Sequence, residues 1–98
     1  MSDDIKLEQE RTRGVEAGQL LNNRIFREVL QQLNRELDQK ADAVKTTDME
    51  ACQDIIRCKQ LLSGLERIIV SYAETGKMAR MAIEMLLKRN KPKIFSRF

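Results

Sequence analysis

TDMEACQDIIRCKQLLSGLERIIVSY, residues 47–72, decides the fold. Cys52, Ile55, Cys58, Leu62, Leu65, Ile69 and Tyr72 succeed one another in steps of three and four without a gap. That spacing puts all seven on one side of a helix. Ile56, Leu61 and Ile68 widen the apolar side. Thr47 with Glu50 three residues on has the form of a capping box, which satisfies free backbone donors at a helix start. Gly64 lies within the face; it costs helix propensity but lets another backbone come close. The candidate core or oligomer positions are Ile55, Leu62, Leu65, Ile69 and Tyr72.

Toward the C-terminus, Thr75-Gly76-Lys77 reads as a helix stop, or as a kink in one longer helix. Met78, Met81, Ala82, Met85 and Leu86 then recur at helical spacing. Asn90-Lys91-Pro92 is expected to end all helix, because proline lacks a donor and restrains the residue before it. Residues 91–98 then form a basic, extended tail.

Toward the N-terminus, Phe26, Leu30, Leu33, Leu37 and Val44 form a second heptad-like stripe, interrupted at Lys40, on a helix expected from about Arg24 to Val44. Asn22-Asn23 marks a break before it. A first helix, from a Ser2 cap with Asp3 and Asp4 in its opening turn, runs to about Leu21. Gly14 and Gly18 weaken that helix by up to about 1 kcal/mol each. Their Gly-x-x-x-Gly spacing can mark a close helix contact. Arg13 and Glu16 place the motif outside any membrane span, and the plainer reading is a loosely formed helix.

These elements predict an all-α fold: an antiparallel helical hairpin with additional N- and C-terminal helices. A single helical domain covers residues 1–90. The chain has 98 residues, room for one domain, with one proline and four glycines. Its aromatics are Phe26, Tyr72, Phe95 and Phe98, so the core must be aliphatic, as in coiled coils. Two helices alone leave apolar surface bare, for the first and fourth stretches or for other copies of the chain to cover; the wide apolar face of the third helix favours a homo-oligomer.

The composition narrows the chemistry. There is no histidine, which removes histidine-dependent triads, Cys–His dyads and His-containing zinc sites. No Walker loop or Gly-x-Gly-x-x-Gly occurs. A two-carboxylate mechanism needs no histidine, but short helices leave little room for a deep pocket. The expectation is a non-enzymatic protein with no cofactor, no metal and no catalytic residues. Cys52 and Cys58 stand six residues apart, about 9 Å along a helix, and toward opposite edges of its apolar side, about 120° apart. They do not suit a mutual disulfide, and two free thiols fit a reducing compartment. The acidic start, Met1-Ser2-Asp3-Asp4, is no signal peptide, and no stretch is apolar enough to span a bilayer. The expected location is the cytoplasm.

Charge is unevenly placed. Residues 1–76 hold 11 Lys/Arg against 14 Asp/Glu; residues 77–98 hold seven Lys/Arg against Glu84 alone, a net +6. An acidic body with a basic end points to an acidic partner for that end. The candidate partner-binding residues of the tail are Lys91, Lys93, Phe95, Arg97 and Phe98. Basic residues interleaved with Phe95 and Phe98 suit phosphates and bases. They equally suit a protein pocket with Phe98 as anchor, and a solvated end is the plain alternative. The methionines at 78, 81 and 85 either form an adaptable partner face or pack against the hairpin. Their flanking Lys77, Arg80, Lys88 and Arg89 also fit a membrane surface or a solvated face.

Several short segments carry a resemblance. They are Arg13-Gly14, Ala17, Leu20-Leu21-Asn22-Asn23, Ile25-Phe26, Leu30 and Leu33, then Thr47-Asp48, Glu50-Ala51, Leu62 and Leu65, and Thr75-Gly76-Lys77-Met78-Ala79. The pattern, spanning about two-thirds of the chain, resembles a group of small helical proteins of tailed bacteriophages, encoded near head and DNA-packaging genes. That group often has a tryptophan before the Thr-Asp turn; this chain has none. The resemblance implies a bacteriophage protein of virion assembly or DNA packaging, in the host cytoplasm or associated with the virion. It carries no functional residues across. The leading expectation is a helical oligomer that binds another phage protein. The alternatives are a nucleic-acid-binding packaging subunit, of small-terminase type, that uses the basic end, and a modulator of a host protein.

Overall fold

The computed structural model describes the backbone of residues 2–95 and the side chains of residues 3–89. It contains three helices, α1 Ser2–Asn22, α2 Arg24–Ala43 and α3 Met49–Phe95, and no strand among the described residues. The chain divides into two compact units. One joins Met1–Gln19 with Val70–Phe98; the other is Leu20–Ile69.

The break between α1 and α2 lies where the paired asparagines predict it. Asn23 is extended, with φ −69° and ψ 123°, and its Oδ1 accepts a hydrogen bond from the Phe26 N–H at 2.8 Å. One residue thus ends one helix and caps the next. In α2, Leu30 is buried and Phe26 and Leu37 are half-buried, as is the C-cap residue Val44. The exposed Lys40 interrupts this stripe, as its charge requires.

The turn into α3 differs in detail from the expected capping box. Helix α3 begins at Met49, and the cap is Asp48, not Thr47. The Asp48 N–H donates to the Lys45 carbonyl at 3.0 Å. The first unpartnered donors therefore belong to residues beyond Asp48. Its carboxylate Oδ1 accepts from the Ala51 N–H at 3.1 Å, and a negative charge there also suits the helix dipole. The Cys52 thiol donates to the Lys45 carbonyl at 3.6 Å and closes the same turn.

Helix α3 also corrects two expected stops. Gly76 neither ends nor left-twists the helix, since no glycine has positive φ and α3 is continuous through it. The third and fourth stretches are one helix, as the alternative reading of Gly76 within one longer helix has it. Pro92 does not end it either, for α3 continues to Phe95. Proline lacks the N–H that would bond the Lys88 carbonyl, but its fixed φ is that of a helix, so the backbone runs on through it. The expected extended tail thus begins as helical backbone over 91–95; residues 96–98 and the side chains of 90–98 lie outside the described residues.

In the unit built from Leu20–Ile69, α2 lies against the first part of α3. Leu30 of α2 and Leu62 and Ile69 of α3 are buried there. Asp38 of α2 and Lys59 of α3 meet at 2.9 Å. Both ends of this ion pair are substantially exposed, so it aligns the helices more than it stabilises them.

The other unit is held by small residues. Ala79 is only 2% exposed, and Ala17 and the two glycines Gly14 and Gly76 are buried. A Cβ built on Gly76 would lie 2.5 Å from the Gly14 Cα and 3.1 Å from the Glu10 carbonyl oxygen. A Cβ on Gly14 would lie 3.0 Å from the Tyr72 carbonyl oxygen. The two helices therefore touch backbone to backbone, an approach that only glycine permits. Beside the contact, the Arg13 guanidinium stacks over the Tyr72 ring, 4.0 Å from its centroid. Such a contact contributes about 0.5–1 kcal/mol at an exposed site. Half of the Gly-x-x-x-Gly motif is thus a helix contact after all. Gly14 makes it, whereas a Cβ on Gly18 would meet nothing within 4 Å.

Candidate interaction surfaces

The heptad of α3 splits in two. Within Leu20–Ile69, the positions seven apart, Ile55, Leu62 and Ile69, turn toward α2; Ile55 is half-buried, and Leu62 and Ile69 are each 8% exposed. The intervening position Leu65 stays 46% exposed, and Leu61 is 74% exposed. A straight helix with 3.6 residues per turn cannot aim every position of a three-four repeat at one neighbour. The second set falls on the flank. Tyr72, assigned by its spacing to the same face, instead receives Arg13 in the other unit.

That flank is a groove of about 390 Å³. Leu33, Leu37, Cys58, Leu61, Leu62 and Leu65 supply its apolar walls, and Glu36 and Lys40 edge it. Ile25 and Val29 continue the wall from Leu33 in steps of four, and Ile68 continues it from Leu65; all three are about half exposed. Ile25 and Val29 stand outside the stripe that spacing alone picks out on α2. Their step of four onto Leu33 was the available signal. The Asp38–Lys59 pair and the Asn34 amide, which donates to the Leu30 carbonyl at 3.1 Å, belong to polar positions of the same two helices. Gly64 has no close backbone neighbour, since a Cβ there would meet only the Arg67 guanidinium at 3.8 Å.

In the other unit, α3 turns a different surface outward. Met78, Met81 and Met85 are 72%, 58% and 67% exposed. The inward positions are taken by Ala79, Ala82 and Ile83, with Leu7 of α1 facing Ile83 across a shallow hollow. The methionines therefore do not pack into the fold. Lys77, Arg80, Lys88 and Arg89 are exposed on the same stretch of α3; Arg80 lies toward Gly14 and Gly18 of α1, and Glu84 reaches toward it at 3.9 Å. The result is a flexible, polarisable stripe in a basic setting.

Of the residues expected to bind a partner, Lys91, Lys93 and Phe95 have described backbone only, on α3, and Arg97 and Phe98 lie outside the described residues. Cys52 and Cys58 are free thiols. No group of three or more acidic, cysteine or histidine side chains capable of holding a metal occurs among the described residues. No helix among them is long and apolar enough to cross a membrane. No protein-family model, curated protein or solved structure matches the chain.

Proposed function

We propose that the chain is a non-catalytic interaction protein of a tailed bacteriophage. On this reading it is a helical hairpin that associates with itself and docks on another virion-assembly or packaging protein through its basic C-terminal end. The observation that carries the docking is the outward methionine stripe, Met78, Met81 and Met85, set among Lys77, Arg80, Lys88 and Arg89. Flexible thioether side chains adapt to a partner's apolar surface, and the surrounding cations select an acidic one. The net +6 of residues 77–98 extends the same preference into the tail. Placement in a phage rests on the sequence resemblance.

The reading is tested in the phage. A virus carrying Met81→Glu, or a chain truncated after Asn90, should yield fewer filled particles while the protein keeps its helix content. Normal yields from both would refute it. The salt dependence of partner binding separates the two kinds of partner. Phosphate contacts release counterions, so binding to DNA falls steeply with salt, with a slope set by the number of phosphates contacted. A partner protein held by the methionines gives a shallow slope. A steep slope that flattens when Lys91, Lys93 and Arg97 are neutralised would move the protein to the packaging subunits that grip DNA.

A further inference from the structure

We propose that the open flank of the Leu20–Ile69 unit is covered by a second copy of the chain, in a symmetric dimer whose two hairpins close a four-helix core. This rests on the interaction-protein reading and names one of its partners.

Three observations select that occupant. The first is the number of seams. A helix in a four-helix bundle touches two neighbours and needs two adjacent apolar seams. In this unit α3 uses one seam against α2, through Leu62 and Ile69, and leaves the second, Leu61, Leu65 and Ile68, open. Helix α2 repeats the arrangement, with Leu30 buried and Ile25, Val29 and Leu33 open. Leu33 shares its groove with Leu61 and Leu65, so the two open seams form one surface on the same side of the pair.

The second is area. The six open side chains are each between 41% and 74% exposed. Together they present on the order of 500 Å² of aliphatic surface, near the upper end of the ~300–600 Å² found for the largest patch on a monomer. A standard interface buries about 800 Å² on each partner, and in homodimers about 65% of that is apolar, which again requires roughly 500 Å². The patch is therefore the size that one copy of itself would cover.

The third is charge. A two-fold interface sets the same surface against itself, so a rim of one sign would repel its own copy. The charges here are balanced: Glu36 and Lys40 of α2 line the groove, and Asp54 and Arg57, in the turn of α3 before Cys58, pair with each other at 3.7 Å. The methionine stripe of the other unit fails this condition, with four cations to one acid. A neutral rim also gives an anionic membrane or a nucleic acid nothing to hold.

Sedimentation equilibrium of the full chain tests the assignment. The wild type should be a dimer that dissociates on dilution. Leu61→Lys alters a side chain that is largely exposed within one chain, so the fold tolerates it, but the dimer would bury an unpaired charge. It should weaken dimerisation by roughly 100-fold or more. Leu61→Glu should do the same, since either charge would be buried without a partner. Helical circular dichroism equal to that of the wild type shows that both variants are folded. A wild type that stays monomeric at hundreds of micromolar overturns the dimer, while its undiminished binding to a phage partner would leave the interaction reading intact. A dimer that survives Leu61→Lys and Ile68→Lys but breaks with Met81→Lys overturns the choice of face.

Discussion

Replacing Gly76 by alanine tests the glycine contact, because two opposing effects can be weighed. In an open helix, Gly→Ala adds about 1 kcal/mol of stability by reducing the conformational freedom of the unfolded chain and improving helix propensity. At Gly76 the new Cβ would stand 2.5 Å from the Gly14 Cα, whereas non-bonded carbons settle at about 3.5–4.0 Å, an overlap of about 1 Å. Its nearest neighbours are Gly14 and Glu10 backbone atoms, so no flexible side chain can swing away. The helices must separate instead, loosening the packing of Ala17 and Ala79 and the Arg13–Tyr72 stack. Overpacking of this kind typically costs about 1–3 kcal/mol or more, and rigid backbone on both sides puts this site at the upper end. Net of the propensity gain, Gly76→Ala should lose about 1–2 kcal/mol. That corresponds to a fall of roughly 5–15 °C in thermal midpoint for a chain of this size. Gly18→Ala is the internal control. A Cβ there has open space, so it should gain about 0.5–1 kcal/mol. Urea titrations followed by helical circular dichroism, at one fixed protein concentration, measure both. If Gly76→Ala stabilised the protein as much as Gly18→Ala, the two backbones would not be in contact.

Leu62→Ala should cost about 2–5 kcal/mol because the side chain is buried against α2. Leu61→Ala in the monomer should cost under about 1 kcal/mol, as expected of a mostly exposed position; equal losses in urea titrations would mean that the inward face is wrongly identified. Asp48→Ala should cost about 0.5–2 kcal/mol, against a few tenths for Thr47→Ala. The reverse order would restore Thr47 as the cap. A double-mutant cycle on Arg13 and Tyr72 should give a coupling of about 0.5–1 kcal/mol, and zero coupling would make the stacking incidental. Truncation after Asn90 should leave the helical signal per residue and the thermal midpoint nearly unchanged; an unfolded product would make the last turns of α3 part of the fold.

Much of this molecule is decided locally, and so was legible in the chain. The period of residues 52–72 requires a helix whatever surrounds it, because side chains three and four apart must share a side. Asn22-Asn23 breaks the chain and caps α2 through atoms three residues away, a contact within reach of local reasoning. Where the choice lay between neighbours, tertiary contact decided it. Gly76 has the composition of a helix stop, yet it stays helical because its missing side chain is occupied by the Gly14 backbone, a residue 62 positions earlier. The methionines at 78, 81 and 85 fit a core and an interface equally well by spacing. Ala79, Ala82 and Ile83 take the inward side, with the small Ala79 the most deeply buried in the unit where the two backbones meet, and the methionines are left outside. The seven-membered stripe of α3 reads as one face in the sequence. Only a partner helix of definite position divides it into Leu62 and Ile69, which it covers, and Leu65, which it does not. Periodicity states which residues share a side of a helix; which part of that side is covered depends on where the other backbone lies, and that is a property of the packed structure.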